Sequence, residues 1–175
     1  MFRRAKEEDI DRIVQIYDAI HDREEAGILS IGWKRDVYPT KQTVVDAISR
    51  NDMFVEIENE TIVAAAIINQ IQVPEYKDCK WRYSAEAQEV MVLHTLTVAP
   101  EWTGYGFAKK FVYYYEEYAR NCGCHYLRMD TNAKNKAARN LYAGLGYCES
   151  GIVPCEFNGI PGVQLVCLEK SIVAV

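Results

Sequence analysis

The feature that most constrains the fold is the segment from Leu96 to Asn121, where a β-type run leads through a glycine-rich turn into a long helix. The run ends at Pro100, and Gly104 and Gly106 mark the turn. From Gly106 onward, apolar residues recur at helical spacing over a wide face, which predicts a helix packed against a sheet. A strand joined to such a helix by a short turn is typical of an α/β fold.

Apolar periodicity along the rest of the chain predicts the order β-α-α-β-β-β-α-β-α-β-β, a mixed sheet in a single layer with helices on both faces. Because the chain has 175 residues, which lies within the usual size of one domain, we expect a single domain over residues 1–175. Helices are predicted over 7–25, 40–50, 106–121 and 135–145. The first strand of this order is given no bounds, and the other six strands are predicted over 53–59, 61–71, 90–98, 125–131, 147–157 and 163–169.

Composition excludes several classes of protein. The longest apolar stretch, Ile62–Ile68, has the length of a strand, so we expect no membrane span. The first residues contain no apolar signal region, and six cysteines without one indicate reduced thiols, so we expect a cytoplasmic protein. Cys122 and Cys124 are spaced too closely for a zinc knuckle, and no metal site is expected. A net charge of −5 disfavours binding to nucleic acid.

A tight glycine turn at the start of a helix leaves backbone N–H groups free, and such groups bind phosphate or pyrophosphate. On its own the signal is weak, since many strand–helix turns contain two glycines. The G-x-G-x-x-G pattern of dinucleotide-binding sites fits this turn poorly, because Lys109 stands where that pattern has its third glycine. Charge supports a polyanionic ligand: residues 103–139 hold seven bases and three acids within an acidic chain.

Besides the run from Leu96 to Ala108, which contains the glycine turn, the run from Asn135 to Tyr147 follows the pattern N-x-x-A-x-x-L-Y-x-x-x-G-Y. Together these two runs resemble the GCN5-related N-acetyltransferase (GNAT) family. The first, Leu96 to Ala108, is similar to the family's R/Q-x-x-G-x-G/A loop for the pyrophosphate of acyl-CoA. The second, Asn135 to Tyr147, is similar to its N-x-x-A-x-x-L-Y-x-x-x-G-F/Y helix. One departure is that Thr103 stands where the family usually has arginine or glutamine. This substitution removes a side-chain contact but leaves the backbone N–H groups.

The resemblance implies a mostly antiparallel sheet whose central strand splays away from its neighbour, and acetyl-CoA as the co-substrate. It also implies that the splayed strand offers backbone groups to the pantetheine and the acyl carbonyl, with a freed N–H near Leu96 or Thr97 as the electrophilic element. The residues expected to bind the co-substrate on this basis are Leu96, Thr97, Val98, Thr103, Gly104, Tyr105, Gly106, Phe107, Ala108, Lys109, Asn132, Asn135, Lys136 and Ala138.

Acetyl transfer to an amine requires a proton donor for the departing thiolate, and a base or a water relay for the amine. Tyr142 coincides with the family tyrosine, whose phenol can donate to the sulfur; the alternative is a tyrosine that packs through its ring. His94 is the first candidate for the base, because it lies two residues before Leu96 and therefore on the same strand face. A buried structural histidine is the alternative for His94, and Glu89 is the other candidate base.

Four aromatic residues lie in segments that border the acceptor cleft in the resembled fold: Trp33, Tyr38, Trp81 and Tyr83. Aromatic walls with nearby acids suit a cationic amine. These residues equally suit loop anchors or a dimer interface, and a homodimer is left open.

The sequence therefore predicts an acetyl-CoA-dependent N-acetyltransferase that moves an acetyl group to a primary amine, on a small molecule or a peptide, by direct attack in a ternary complex. Two alternatives remain: a non-catalytic acyl-CoA-binding regulatory module, and an acyltransferase with another acyl donor or acceptor.

Overall fold

In a computed structural model, which describes residues 1–173, seven strands form one sheet in the order β1-β2-β3-β4-β5-β7-β6. Neighbouring strands are antiparallel except for β4 and β5, which are parallel. The strands are β1 (Phe2–Arg4), β2 (Met53–Glu58), β3 (Thr61–Asn69), β4 (Val90–Val98), β5 (Tyr126–Asn132), β6 (Cys148–Phe157) and β7 (Ile160–Ser171).

Four helices cover the two faces of this sheet: α1 (Ile10–Glu25), α2 (Lys41–Ser49), α3 (Phe107–Asn121) and α4 (Lys136–Gly144). Helices α3 and α4 pack on one face around Phe111 and Val112, which are fully buried. Helices α1 and α2 pack on the other face around Ile13 and Val44. The predicted mixed sheet with helices on both faces is confirmed.

The central parallel pair opens into a wedge. Strands β4 and β5 pair from Val90 opposite Tyr126 to Leu93 opposite Met129, and the pairing stops there although both strands continue. The hydroxyl of Tyr115 in α3 donates to the carbonyls of Met91, at 2.6 Å, and Arg128, at 3.1 Å, and so joins the paired part of both strands. Beyond Leu93, the edge of β4 that faces β5 pairs with no strand of the described residues. The predicted splay of the central strand is confirmed.

Most element boundaries agree with the pattern to within a few residues. The main difference at the N-terminus is that Glu7–Asp9 form a 3-10 turn before α1. The Asp9 carboxylate accepts the Lys6 N–H at 2.7 Å and pairs with Arg3 at 2.6 Å, which stabilises this separate turn. Across residues 1–173, every helix is too short or too polar to span a bilayer.

Candidate active site

A cavity of about 140 Å³ lies at the wedge between β4 and β5. Distant parts of the chain meet around it: the α1–α2 loop, Val73 between β3 and β4, the two splayed strands, α4, the β6–β7 turn and the start of β7. Several of its lining residues were predicted from the sequence, namely Trp33, Tyr38, His94, Leu96, Asn132, Asn135, Ala138 and Tyr142. The fold therefore brings residues from distant parts of the sequence to one place.

A β-bulge in β4 separates His94 from Leu96. Thr97 pairs with Ala65 of β3, but His94 pairs with Ile67, so β4 has one extra residue between these two pairs. Thr95 occupies the bulge with a φ of +52°. An extra residue reverses the alternation of side chains, so His94 shares the α1–α2 face with Ile67, whereas Leu96 packs toward α3. The expectation that His94 and Leu96 share a face is wrong, although both line the cavity.

Hydrogen bonds define the protonation state of His94. Its Nε2 lies 3.0 Å from Oδ1 of Asn69, which also accepts the N–H of Ile71 at 2.9 Å. The Asn69 amide group in turn donates to Asp52 at 2.8 Å, so Oδ1 is the acceptor. This network assigns the ring proton to Nε2 and leaves Nδ1 to accept a proton. Burial lowers the pKa of His94 to about 4, so the imidazole is neutral at physiological pH.

Tyr38 connects the α1–α2 loop to the bulge. Its hydroxyl forms a short hydrogen bond with the Thr95 hydroxyl. Burial raises the pKa of Tyr38 to about 12. The ring of Trp33 meets the ring of Tyr38 edge-to-face with centroids 6.2 Å apart. Both aromatic residues predicted from this loop therefore form one wall of the cavity.

Tyr142 reaches the cavity from α4. Its ring is buried against the core under α3 and α4, and within residues 1–173 its hydroxyl makes no hydrogen bond. Burial, and then the charge of Asp130, raise the pKa of Tyr142 above that of a free phenol. The hydroxyl is therefore protonated at physiological pH and able to donate.

Asp130 lines the cavity and was not predicted as a site residue. It lies in β5 opposite Cys167, and its Oδ2 accepts the hydroxyl of Tyr76 at 2.7 Å. Burial, and to a smaller extent the negative charge of Glu75, raise the pKa of Asp130 to about 6, although the hydrogen bond from Tyr76 lowers it. A carboxylate in the middle of an otherwise β-rich run was the available sequence signal.

The glycine turn lies at the N-terminus of α3 as predicted. Gly104 and Gly106 have φ values of +90° and +83°, in the region that favours glycine. A Cβ on either residue would meet nothing within 4 Å, so the space above the turn is open. The first intrahelical donor is Lys110, whose N–H bonds to the Gly106 carbonyl at 3.0 Å. The N–H groups of residues 107–109 before it are free for an anion.

The other residues expected to bind a co-substrate fall into two groups. Leu96, Asn132, Asn135 and Ala138 line the cavity, and Asn135 also caps α4 by accepting the Ala138 N–H at 3.1 Å. The rest lie along β4, in the glycine turn, or at the starts of α3 and α4, outside the cavity lining: Thr97, Val98, Thr103, Tyr105, Phe107, Ala108, Lys109 and Lys136.

The three remaining predicted site residues, expected at the acceptor cleft or as the base, also lie away from the cavity lining. Trp81 donates its indole N–H to the Tyr76 carbonyl at 2.9 Å and stacks under the guanidinium of Arg128. The ring of Tyr83 packs on Tyr126 at the far end of β5. Glu89 precedes β4, and its carboxylate accepts the Glu86 N–H at 3.0 Å. At about 3.3 Å per strand residue, Glu89 is roughly 16 Å from His94 along the chain.

Comparison with known proteins agrees with this geometry. The model of the acetyltransferase (GNAT) family matches residues 11–147. A GNAT-family acetyltransferase from Streptococcus agalactiae 2603 has the same fold, with a TM-score of 0.81 and 24% identity over 98% of this chain and 94% of that one. A Salmonella typhimurium protein described as a candidate acetyltransferase was solved with its cofactor acetyl-CoA. It has a TM-score of 0.70 and 17% identity over 100% of this chain and 95% of that one.

One relative known from its sequence is an uncharacterised N-acetyltransferase of Methanocaldococcus jannaschii, 30% identical over 76 residues. That match covers 43% of this chain and 34% of the length of the relative. The family model, by contrast, spans more than three quarters of the chain. From the wedge between β4 and β5, the glycine turn before α3 and this match, we conclude that the chain belongs to the GNAT family of acetyltransferases.

Proposed function

We propose that this protein transfers the acetyl group of acetyl-CoA to a primary amine by direct attack in a ternary complex. The observation that carries the proposal is the wedge between β4 and β5. It places free backbone groups of β4, the phenol of Tyr142 and the imidazole of His94 around one cavity. Six free cysteines suit a reducing compartment, and we propose the cytoplasm.

The described residues fit acetyl-CoA. The open space above Gly104 and Gly106 leaves room for a pyrophosphate beside the free N–H groups at the start of α3. The unpaired edge of β4 from Leu96 to Val98 would offer N–H and C=O groups to a pantetheine chain, and Asn132, Asn135, Lys136 and Ala138 are the other residues proposed to bind the co-substrate. Acetyl-CoA supplies an activated acyl group as a thioester.

The chemistry balances with the groups present. The neutral amine nitrogen attacks the acetyl carbonyl carbon, so that a C–N bond forms and the C–S bond breaks. A backbone N–H near Leu96 or Thr97 stabilises the negative charge that develops on the carbonyl oxygen. Tyr142 donates a proton to the sulfur and regains one from solvent. An ammonium substrate loses two protons when it becomes an amide. One of them is taken up in the CoA thiol, and the other is released to solvent.

A thiol-release assay with acetyl-CoA tests this proposal. Polyamines, amino acids, aminoglycosides, arylalkylamines and peptide N-termini are offered in turn, and mass spectrometry identifies the acetylated product. We expect amine-dependent release of CoA with formation of an amide. Tight binding of CoA in calorimetry without release for any acceptor would contradict the proposal and support a non-catalytic binding module.

For the amine proton we propose His94 as the acceptor, because its Nδ1 is unprotonated and it lines the cavity. We expect His94→Gln to lower kcat by about 100-fold, at the lower end of the usual contribution of a general base. Glutamine can still donate a hydrogen bond to Asn69. Glu89→Gln is the matched variant, since that carboxylate lies outside the cavity lining. A loss of activity in Glu89→Gln alone would assign the base to Glu89 instead.

A further inference from the structure

The cavity is nearly free of charge. Among the described residues that line it, Asp130 is the one that carries a charge at neutral pH, and neither lysine nor arginine is present. The adjoining groove over α2 contains Arg50, but its Nε is paired with the Asp52 carboxylate at 2.9 Å. A cationic group entering the cavity would therefore meet an opposite charge, whereas an anionic group would meet none.

The Asp130 carboxylate has an oxygen available for a ligand. Its Oδ2 accepts the Tyr76 hydroxyl, but Oδ1 accepts no hydrogen bond from residues 1–173, and no basic side chain there forms an ion pair with it. Asp130 is mostly but not fully buried, and it lines the cavity. A buried carboxylate without a cationic partner is unfavourable for stability. A ligand that brings a cation to Asp130 would offset this unfavourable free energy.

The remaining walls suit an apolar group. Apolar and aromatic side chains also line the cavity, namely Ile31, Trp33, Val73, Phe157 and Ile160. Aromatic faces also stabilise nearby ammonium groups. The cavity volume of about 140 Å³ is similar to that of an engineered cavity of about 150 Å³ that binds benzene, and the acceptor shares this space with the acyl end of the co-substrate. The acceptor body that fits is small and hydrophobic.

From these observations we propose that Asp130 binds the ammonium group of the acceptor and that the acceptor is a small primary amine with an uncharged, apolar body. The inference rests on the proposed function and identifies its substrate class. It excludes α-amino acids as good acceptors, because their carboxylate would lie in the cavity beside Asp130 without a cationic partner. Asp130 is here a specificity-determining residue, and the base remains His94.

Matched pairs of ligands that differ by one carboxylate test the proposal: 2-phenylethylamine against phenylalanine, and isobutylamine against valine. Binding is measured by calorimetry in the presence of CoA, so the result does not depend on turnover. We expect each amine to bind at least tenfold more tightly than its amino acid. Equal or tighter binding of the amino acids, or no binding of either amine at millimolar concentration, would overturn the inference.

The variant Asp130→Asn should abolish this preference and weaken amine binding at least tenfold. Asparagine has the same size and can still accept the Tyr76 hydroxyl, so the variant should melt at the same or a higher temperature. Glu75→Gln is the control, because it removes a neighbouring negative charge that does not line the cavity. An equal loss of binding in both variants would assign the effect to the general negative field, against a direct contact with Asp130.

The pH dependence gives a second readout. Amine binding should fall as the pH decreases below about 6, because the Asp130 carboxyl then becomes protonated and neutral. The fall should be absent in Asp130→Asn. The titratable groups that face Asp130 are Glu75 and Tyr76 before β4, Tyr38 in the α1–α2 loop, Tyr142 in α4, Cys155 in β6 and Cys167 in β7. The pKa values of these tyrosines and cysteines are raised, so they stay neutral in this range.

The two proposals fail in different ways. Selective amine binding that depends on Asp130, without acetylation of any amine, would contradict the proposed transferase activity and leave the ammonium site in place. Acetylation of amino acids at least as efficiently as their decarboxylated partners would contradict the ammonium site and leave the transferase activity in place.

Discussion

Replacing Gly106 with valine is expected to abolish binding of acetyl-CoA while the protein remains folded. Gly106 has a φ of +83°, a region that β-branched residues avoid, and the space above it is open. Valine would move the turn out of its conformation and place its methyl groups where a pyrophosphate approaches the N–H groups of α3. Binding is measured by calorimetry with acetyl-CoA, and folding by circular dichroism and thermal melting.

Gly123→Val is the matched control for this experiment. Gly123 lies just past the other end of α3 with a φ of +75°, and a Cβ there also meets nothing within 4 Å. Both variants introduce the same backbone strain, of order 1–3 kcal/mol. Loss of binding in Gly106→Val but not in Gly123→Val would assign the effect to the turn. Intact binding in folded Gly106→Val would contradict the pyrophosphate assignment.

The second large effect is expected for Tyr142→Phe, which should lower kcat by about 100-fold with a much smaller rise in the KM for acetyl-CoA. The change removes the hydroxyl and keeps the ring that packs under α4. Burial raises the pKa of Tyr142, so the phenol carries its proton at neutral pH and can give it to the departing sulfur. A general acid of this kind usually contributes about 100-fold or more to the rate.

Steady-state kinetics on wild type and variant separate the two roles of Tyr142. Tyr147→Phe serves as the control: its ring lies 6.1 Å from that of Tyr142, but its hydroxyl donates to Glu116 at 3.1 Å outside the cavity lining. We expect Tyr147→Phe to lower the melting temperature and leave kcat nearly unchanged. Unchanged turnover in Tyr142→Phe would remove the acid role and leave Tyr142 as a packing residue.

Much of the fold was predictable because it follows local patterns. The apolar face of α3 requires burial against a sheet, and Gly104 and Gly106 permit the positive φ values that the turn adopts. The order of strands and helices followed from alternation and helical spacing. The motif residues near Tyr142 pointed to the correct family, and so to the wedge between β4 and β5.

The site was less predictable, since it depends on contacts between distant segments. The bulge at Thr95 turns His94 to the face opposite Leu96, and the alternation of apolar and polar residues along β4 does not predict this bulge. Trp81 was expected at the acceptor cleft because of its position in the chain. The guanidinium of Arg128 and the carbonyl of Tyr76 hold it elsewhere.

The sequence by itself determined the element order, the glycine turn and the family, because these depend on spacing, backbone conformation and burial within short segments. The tertiary structure alone decided that Asp130, Tyr76 and the α1–α2 loop meet at the wedge. An ordinary carboxylate in a strand becomes a charged group in a nearly uncharged cavity only when β4 separates from β5. The chemistry of the acceptor site is therefore a property of the assembled sheet.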